Sequence, residues 1–173
     1  SELVDFSKQN IDLAIRMGRG GYDNLVEKKI FDDGLIFVAS PALLANIDKN
    51  DPGQVFQLPW LEDTSPGLQE NFHAYCAKFS INTEKLLPVM QTNNALPLIE
   101  NAVQGHGFLL VNRSLVIEHL RAGRLVTLLN YLAKSPYALY LVAPEQQFSW
   151  KKVQAFEQWL LPKVKESFDG LEY

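Results

Sequence analysis

Between Gln91 and Val111 the apolar positions change their period. Gln91 closes an apolar stretch, Thr92-Asn93-Asn94 is polar, and Ala95, Leu98, Ile99, Ala102 and Val103 then recur at helical spacing. Residues three and four apart share one helix face, so this stretch predicts an amphipathic helix. Asn94 suits its N-cap, and Pro97 then falls in the first turn, where backbone N–H groups lack partners anyway. Gly105 supplies the left-handed stop. Phe108 to Val111 is apolar without a break, as expected of a strand covered on both faces. The stretch therefore reads as strand, turn, helix, strand, with a polar turn beside a helix N-terminus where an anion is at home. Helix capping alone accounts for the same residues, and one turn does not decide between the two.

Similar patterns run through the rest of the chain. Ser1 to Lys8 offers a short helical turn or a linker. Ile11, Leu13 and Ile15 alternate with Asp12, Ala14 and Arg16, a strand pattern, and Met17 to Tyr22 is the glycine-rich loop after it. Asp32-Asp33-Gly34 predicts a turn and Leu35 to Ala39 a buried strand. Ser40-Pro41 and Ser65-Pro66 each predict a helix start. The first helix carries Leu43, Leu44 and Ile47. The second carries Leu68, Phe72, Tyr75, Cys76 and Phe79. Val55 to Leu61 reads as extended, and Leu86 to Gln91 as a strand. After Val111, a short helix from Ser114 to Leu120 ends at Gly123. Strands are expected at Leu125 to Leu129 and Tyr137 to Val142, with a loop from Asn130 to Pro136 between them. A last helix, capped by Ser149, presents Val153, Phe156, Leu160, Val164 and Phe168 on one face, and Pro162 should bend it.

This alternation predicts an α/β fold, a mostly parallel sheet with helices on its faces. The polar stretches near 51–59 and 130–136 suggest a lobe inserted into another. Residues 1–56 and 135–173 are then expected to form lobe I and 57–134 lobe II, with a small-molecule site between lobes.

Composition narrows the function. Among 173 residues the net charge is −4, which argues against a nucleic-acid surface on this polypeptide. No apolar run approaches the roughly 20 residues needed to span a bilayer. The single cysteine, Cys76, excludes an internal disulfide and is compatible with a cytoplasmic setting. His73, His106 and His119 sit on separate elements without ligand spacing, so no metal is expected, and no cofactor motif is present. Glu62 and Asp63 are adjacent acids of the kind usually solvated, and no enzyme is expected. Arg16 is the best functional candidate. At a strand end it either pairs with a nearby surface acid or faces a cleft and grips a carboxylate through two parallel hydrogen bonds.

Laid out in this way, the chain resembles the effector-binding domain of LysR-type transcriptional regulators over nearly all its length. Val4-Asp5-Phe6 with Ile11-Asp12-Leu13-Ala14-Ile15-Arg16-Met17-Gly18 is similar to the family's opening motif. So are Ala39-Ser40-Pro41-Ala42-Leu43-Leu44, Ala102 to Gly107, Leu120 to Val126, and Tyr140-Leu141-Val142 with Phe156 to Leu160, all in the family's order and spacing. The likeness is greatest to its glycine-cleavage-activator and β-lactamase-regulator branch. It implies a two-lobed fold like type II periplasmic binding proteins, here expected to be N-terminally truncated. It also implies a small, anionic effector contacted by Arg16, Thr92, Asn93 and Asn94, and no catalysis. DNA would be bound only through a helix-turn-helix domain lying outside these residues, in a homo-oligomeric, cytoplasmic parent with no membrane partner. The alternative is a solute-binding protein of a transporter with the same fold.

Overall fold

The computed structural model describes residue 6 and residues 10–168. The turn or linker expected over Ser1 to Lys8 thus falls, apart from Phe6, outside the described residues. The chain forms two compact units, residues 34–135 making one and the described residues on either side of them the other. Six strands run in the hydrogen-bonded order β1-β6-β2-β5-β3-β4.

In the first unit, β1 (Ala14–Gly18) pairs antiparallel with the last part of β6 (Val126–Ala143), setting Arg16 opposite Tyr140 and Gly18 opposite Ala138. The unit also holds the first part of β2 (Val26–Ala39) and α5 (Lys151–Phe168). Helix α5 is fixed by buried Val153 and Val164, by Phe168 stacked on Phe31 at 4.5 Å, and by the Lys28–Glu157 ion pair at 2.8 Å. Phe156, expected on the inner face, is exposed. Pro162 lies inside the helix, which continues to Phe168.

The second unit is built on two β-α-β steps. β3 (Trp60–Asp63), α2 (Pro66–Lys78) and β4 (Pro88–Thr92) make one; β4, α3 (Ala95–Val103) and β5 (Phe108–Asn112) make the next. β3 lies parallel to both β4 and β5, the direction a single-helix crossover produces. β5 pairs antiparallel with Leu35 to Val38 of β2. The sheet is therefore mixed, against the mostly parallel expectation, because β2 and β6 do not reach their neighbours through a single helix. Helices α1 (Pro52–Val55) and α4 (Arg113–Arg121) complete the unit. Its core joins Ile36, Val38, Leu61, Leu98, Ile99, Ala102, Leu109 and Val111. A second, aromatic cluster surrounds Phe37, with Phe56, Tyr75, Phe108 and Tyr131 rings 5.0–6.2 Å away.

The central stretch matches its sequence pattern: α3 starts at Asn94, Gly105 takes φ +81°, and all of β5 is buried. Other expectations change. The strand expected at Ile11 to Arg16 begins three residues later. Asp32-Asp33-Gly34 is no turn but part of β2, with Asp33 only 1% exposed. A Cβ at Gly34 would come within 2.7 Å of Leu132 Cδ1, the tip of an exposed and flexible side chain. The helix after Pro41 is a single 3-10 turn ending at Leu44, and Val55 is helical rather than extended. No loop separates the two expected strands at 125–142. The chain bends at Leu129 and Asn130 (φ +64° and +44°) and continues as β6, with Tyr131, Ala133 and Ser135 facing inward by turns. Ser135 there accepts a hydrogen bond from buried Asn112 at 2.8 Å. Phe79 ends α2 exposed, and the Ser149 hydroxyl donates back to the Gln146 carbonyl rather than capping α5.

Candidate functional site

Arg16 belongs to the first unit. Its strand presents Ile15 and Met17 outward on one face and Arg16 on the other, as alternation requires. The guanidinium carbon lies over the Tyr22 ring, 5.1 Å from its centroid, a cation–π arrangement. The Nη2 atom is shut off from solvent and, among the described residues, has no hydrogen-bond partner. A buried donor left unsatisfied costs about 1–3 kcal/mol, and more when charged. The surface-acid pairing that the sequence left open is therefore not made at that nitrogen. Tyr22 stands edge to face with Tyr140 at 6.2 Å, and Glu27 lies close enough to bear on the Tyr22 hydroxyl. Burial holds the Tyr22 hydroxyl above its ordinary pKa against the opposing pull of Arg16, so the ring is neutral at physiological pH.

The Thr92–Asn94 turn belongs to the second unit, at the carboxyl end of β4. Thr92 Oγ1 accepts from the Asn94 N–H, and Asn94 Oδ1 from the Leu96 N–H, both at 3.2 Å. These are capping bonds. Asn93 is exposed. The turn is thus fully explained as a helix start, and exposes polar groups beside one.

Other sequence candidates have structural roles. Asp63, 8% exposed, accepts from the Ser65 N–H at 2.9 Å, and Glu62 accepts from the Gln69 side chain at 3.0 Å. Ser40 and Ser65 occupy N-cap positions without a side-chain cap bond. His106 Nδ1 lies 2.9 Å from Asn101 Oδ1, and His119 Nδ1 accepts from Arg124 Nε at 3.1 Å. Burial pushes the Cys76 thiol up to about 11, far from a reactive thiolate. Among the described residues, no helix is long and apolar enough to cross a membrane.

Sequence reasoning missed Tyr22, Glu27 and Tyr140 as the surroundings of Arg16. The signal was the cluster of glycines at 18, 20 and 21, which marks a close approach without naming what approaches.

Comparison with known proteins agrees with this architecture. A sequence model of the LysR substrate binding domain matches residues 1–165. The glycine cleavage system transcriptional activator of Escherichia coli (strain K12) is 28% identical over 156 residues, covering 90% of this chain and 50% of that protein. A homologue of that activator from Haemophilus influenzae is 25% identical over 158 residues, covering 91% and 52%. The chain thus spans about half the length of the curated relatives it matches. Among solved structures, the effector domain of the transcriptional regulator AmpR of Pseudomonas aeruginosa matches with a TM-score of 0.76 at 19% identity, over 98% of this chain and 80% of that one. At that identity the likeness speaks for fold, the α/β fold of type II periplasmic binding proteins. With the family match covering nearly the whole length, this chain belongs to the LysR substrate-binding domain family.

Proposed function

We propose that the chain is the ligand-sensing domain of a LysR-type transcriptional regulator, and that Arg16, Thr92, Asn93 and Asn94 contact a small anionic effector. Lobes at 1–56 with 135–173 and at 57–134 belong to the same reading. The observation that carries it is Arg16, in the middle of β1 rather than at its end, whose buried Nη2 has no acceptor among the described residues. A ligand oxyanion supplies that acceptor through a charge-assisted bond. Relatives named as transcriptional activators favour a regulator over a solute carrier or an enzyme. With a net charge of −4, this domain leaves DNA contact to another part of the full-length protein, which acts in the cytoplasm as a homo-oligomer.

A panel of small carboxylates and amino acids, screened by thermal shift against this chain, tests the reading. Arg16→Ala should weaken the best ligand by roughly 1.5–3 kcal/mol, the usual worth of a hydrogen bond to a charged group. An unchanged titration removes Arg16 from the site.

A further inference from the structure

The Tyr22 ring lies over the Arg16 guanidinium in the first unit. It fits against the end of β1 only because residue 18 is glycine, since a Cβ there would collide with the Tyr22 hydroxyl. Gly20 and Gly21 take φ of +78° and +74°, and nothing lies near the place of a Gly21 Cβ. Glycine at 21 therefore serves backbone freedom, not room. The segment 20–22 is fastened by Glu27, whose Oε2 accepts the N–H of Gly21 at 2.9 Å and that of Tyr22 at 3.5 Å. Underneath, Arg16 Nη2 is closed off from solvent and has no acceptor among the described residues. An enclosed, unsatisfied charged donor works against the covered arrangement. Two consecutive left-handed glycines give the cover a place to pivot, and Glu27 is its fastening.

We propose that Tyr22 is the gate of the Arg16 half-site. The segment swings about Gly20 and Gly21, leaves Glu27, and admits the carboxylate of a small effector to Nη2. This inference rests on the reading of Arg16 as an effector contact. A guanidinium with one face covered still offers its edge, which suits the planar pair of oxygens of a carboxylate. While the gate is mostly shut, apparent affinity is the intrinsic affinity scaled by the open fraction. Loosening the fastening must then strengthen binding, whereas loss of a merely structural contact would weaken it.

The test is an NMR titration of this chain, with labelled arginine side chains and tyrosine rings, using sodium acetate and inorganic phosphate as probes at constant ionic strength. Acetate should shift the Arg16 guanidinium and the Tyr22 ring with one shared midpoint. Glu27→Gln, an exposed change that keeps the fold, should lower that midpoint by about tenfold, the equivalent of weakening one hydrogen bond to a charged group. A response in Glu27→Gln but none in the parent also supports a closed gate. Arg16 responding while the Tyr22 ring stays still, or Glu27→Gln binding no better than the parent, overturns the gate and leaves Arg16 as a contact. Phosphate binding in place of acetate overturns the carboxylate assignment. No response of Arg16 in the parent, in Glu27→Gln or in Tyr22→Leu overturns both the gate and the effector contact.

Discussion

Replacing Tyr75 by Phe should stabilise the protein. Tyr75 is 5% exposed, and its ring packs between Phe37 at 5.0 Å, Phe79 at 4.6 Å and Tyr131 at 4.9 Å. Its hydroxyl is buried and, among the described residues, has no hydrogen-bond partner. Phenylalanine keeps every ring contact and removes a group whose unsatisfied burial costs about 1–3 kcal/mol. A gain of about 1 kcal/mol is expected at pH 7.5, read as a higher urea midpoint at unchanged slope. In a chain of this length, that gain corresponds to roughly 2–4 °C in Tm. The gain should grow in alkali. Burial foremost, then Cys76 and Tyr131, pushes the Tyr75 hydroxyl from its ordinary value of 10.0 up to about 12. The folded state thus holds that proton more tightly than the unfolded chain. Its contribution is complete below about pH 10 and is lost as pH rises towards 12, by up to about 1.4 kcal/mol per pH unit. Cys76 titrates in both proteins and largely cancels from their difference. A variant less stable than the parent at pH 7.5 would mean that the hydroxyl has a partner, and would refute the reasoning. So would a difference between the two proteins that stays flat from pH 9 to 11.

Glycine substitutions should divide by what they meet. Gly107→Ala puts a Cβ 2.8 Å from the Pro59 carbonyl oxygen and 2.9 Å from Leu61 Cγ, so backbone must move, and a loss of about 1–3 kcal/mol is expected in urea denaturation. Gly34→Ala meets only the tip of the exposed Leu132 side chain, which can rotate away, and should cost clearly less than Gly107→Ala in the same assay. Asn94→Ala removes the acceptor for the Leu96 N–H and should cost about 0.5–2 kcal/mol. Asn94→Asp should restore most of it, and a variant as stable as the parent would show the cap bond to be idle.

Where the sequence was legible, the local signal and the tertiary environment agreed. Asn94, Pro97 and Gly105 punctuate α3, and its apolar stripe is the buried one, so the pattern alone places it. Ser65-Pro66 did the same for α2. The failures have a common cause. Asp33, Gly34, Asn130 and Ser135 are residues of turns, yet here they lie within long strands whose ladders decide the conformation. Their polar groups are accommodated case by case, as Ser135 is by Asn112, and no local pattern announces such a partner. The candidate site was half legible. Arg16 and the glycines after it stand out in the sequence, but the tyrosines around the guanidinium come from 6 and 124 positions away, through the β1–β6 register.

The order in which the two units are laid down along the chain has a consequence for how the protein is made. The unit at 34–135 is contiguous, so all of it can leave the ribosome and fold on its own. The other unit must wait: Lys28 meets a partner 129 positions later, and β1 pairs with residues beyond 137. At about 5–20 residues per second, β1 and the start of β2 stay without those partners for something on the order of ten seconds. Throughout that interval Ile15, Met17 and Phe31 sit on nascent chain with no sheet to join, open to chaperones and to one another. The wait scales inversely with synthesis rate, so codons between 34 and 135 set how long strands that they do not encode stand without partners.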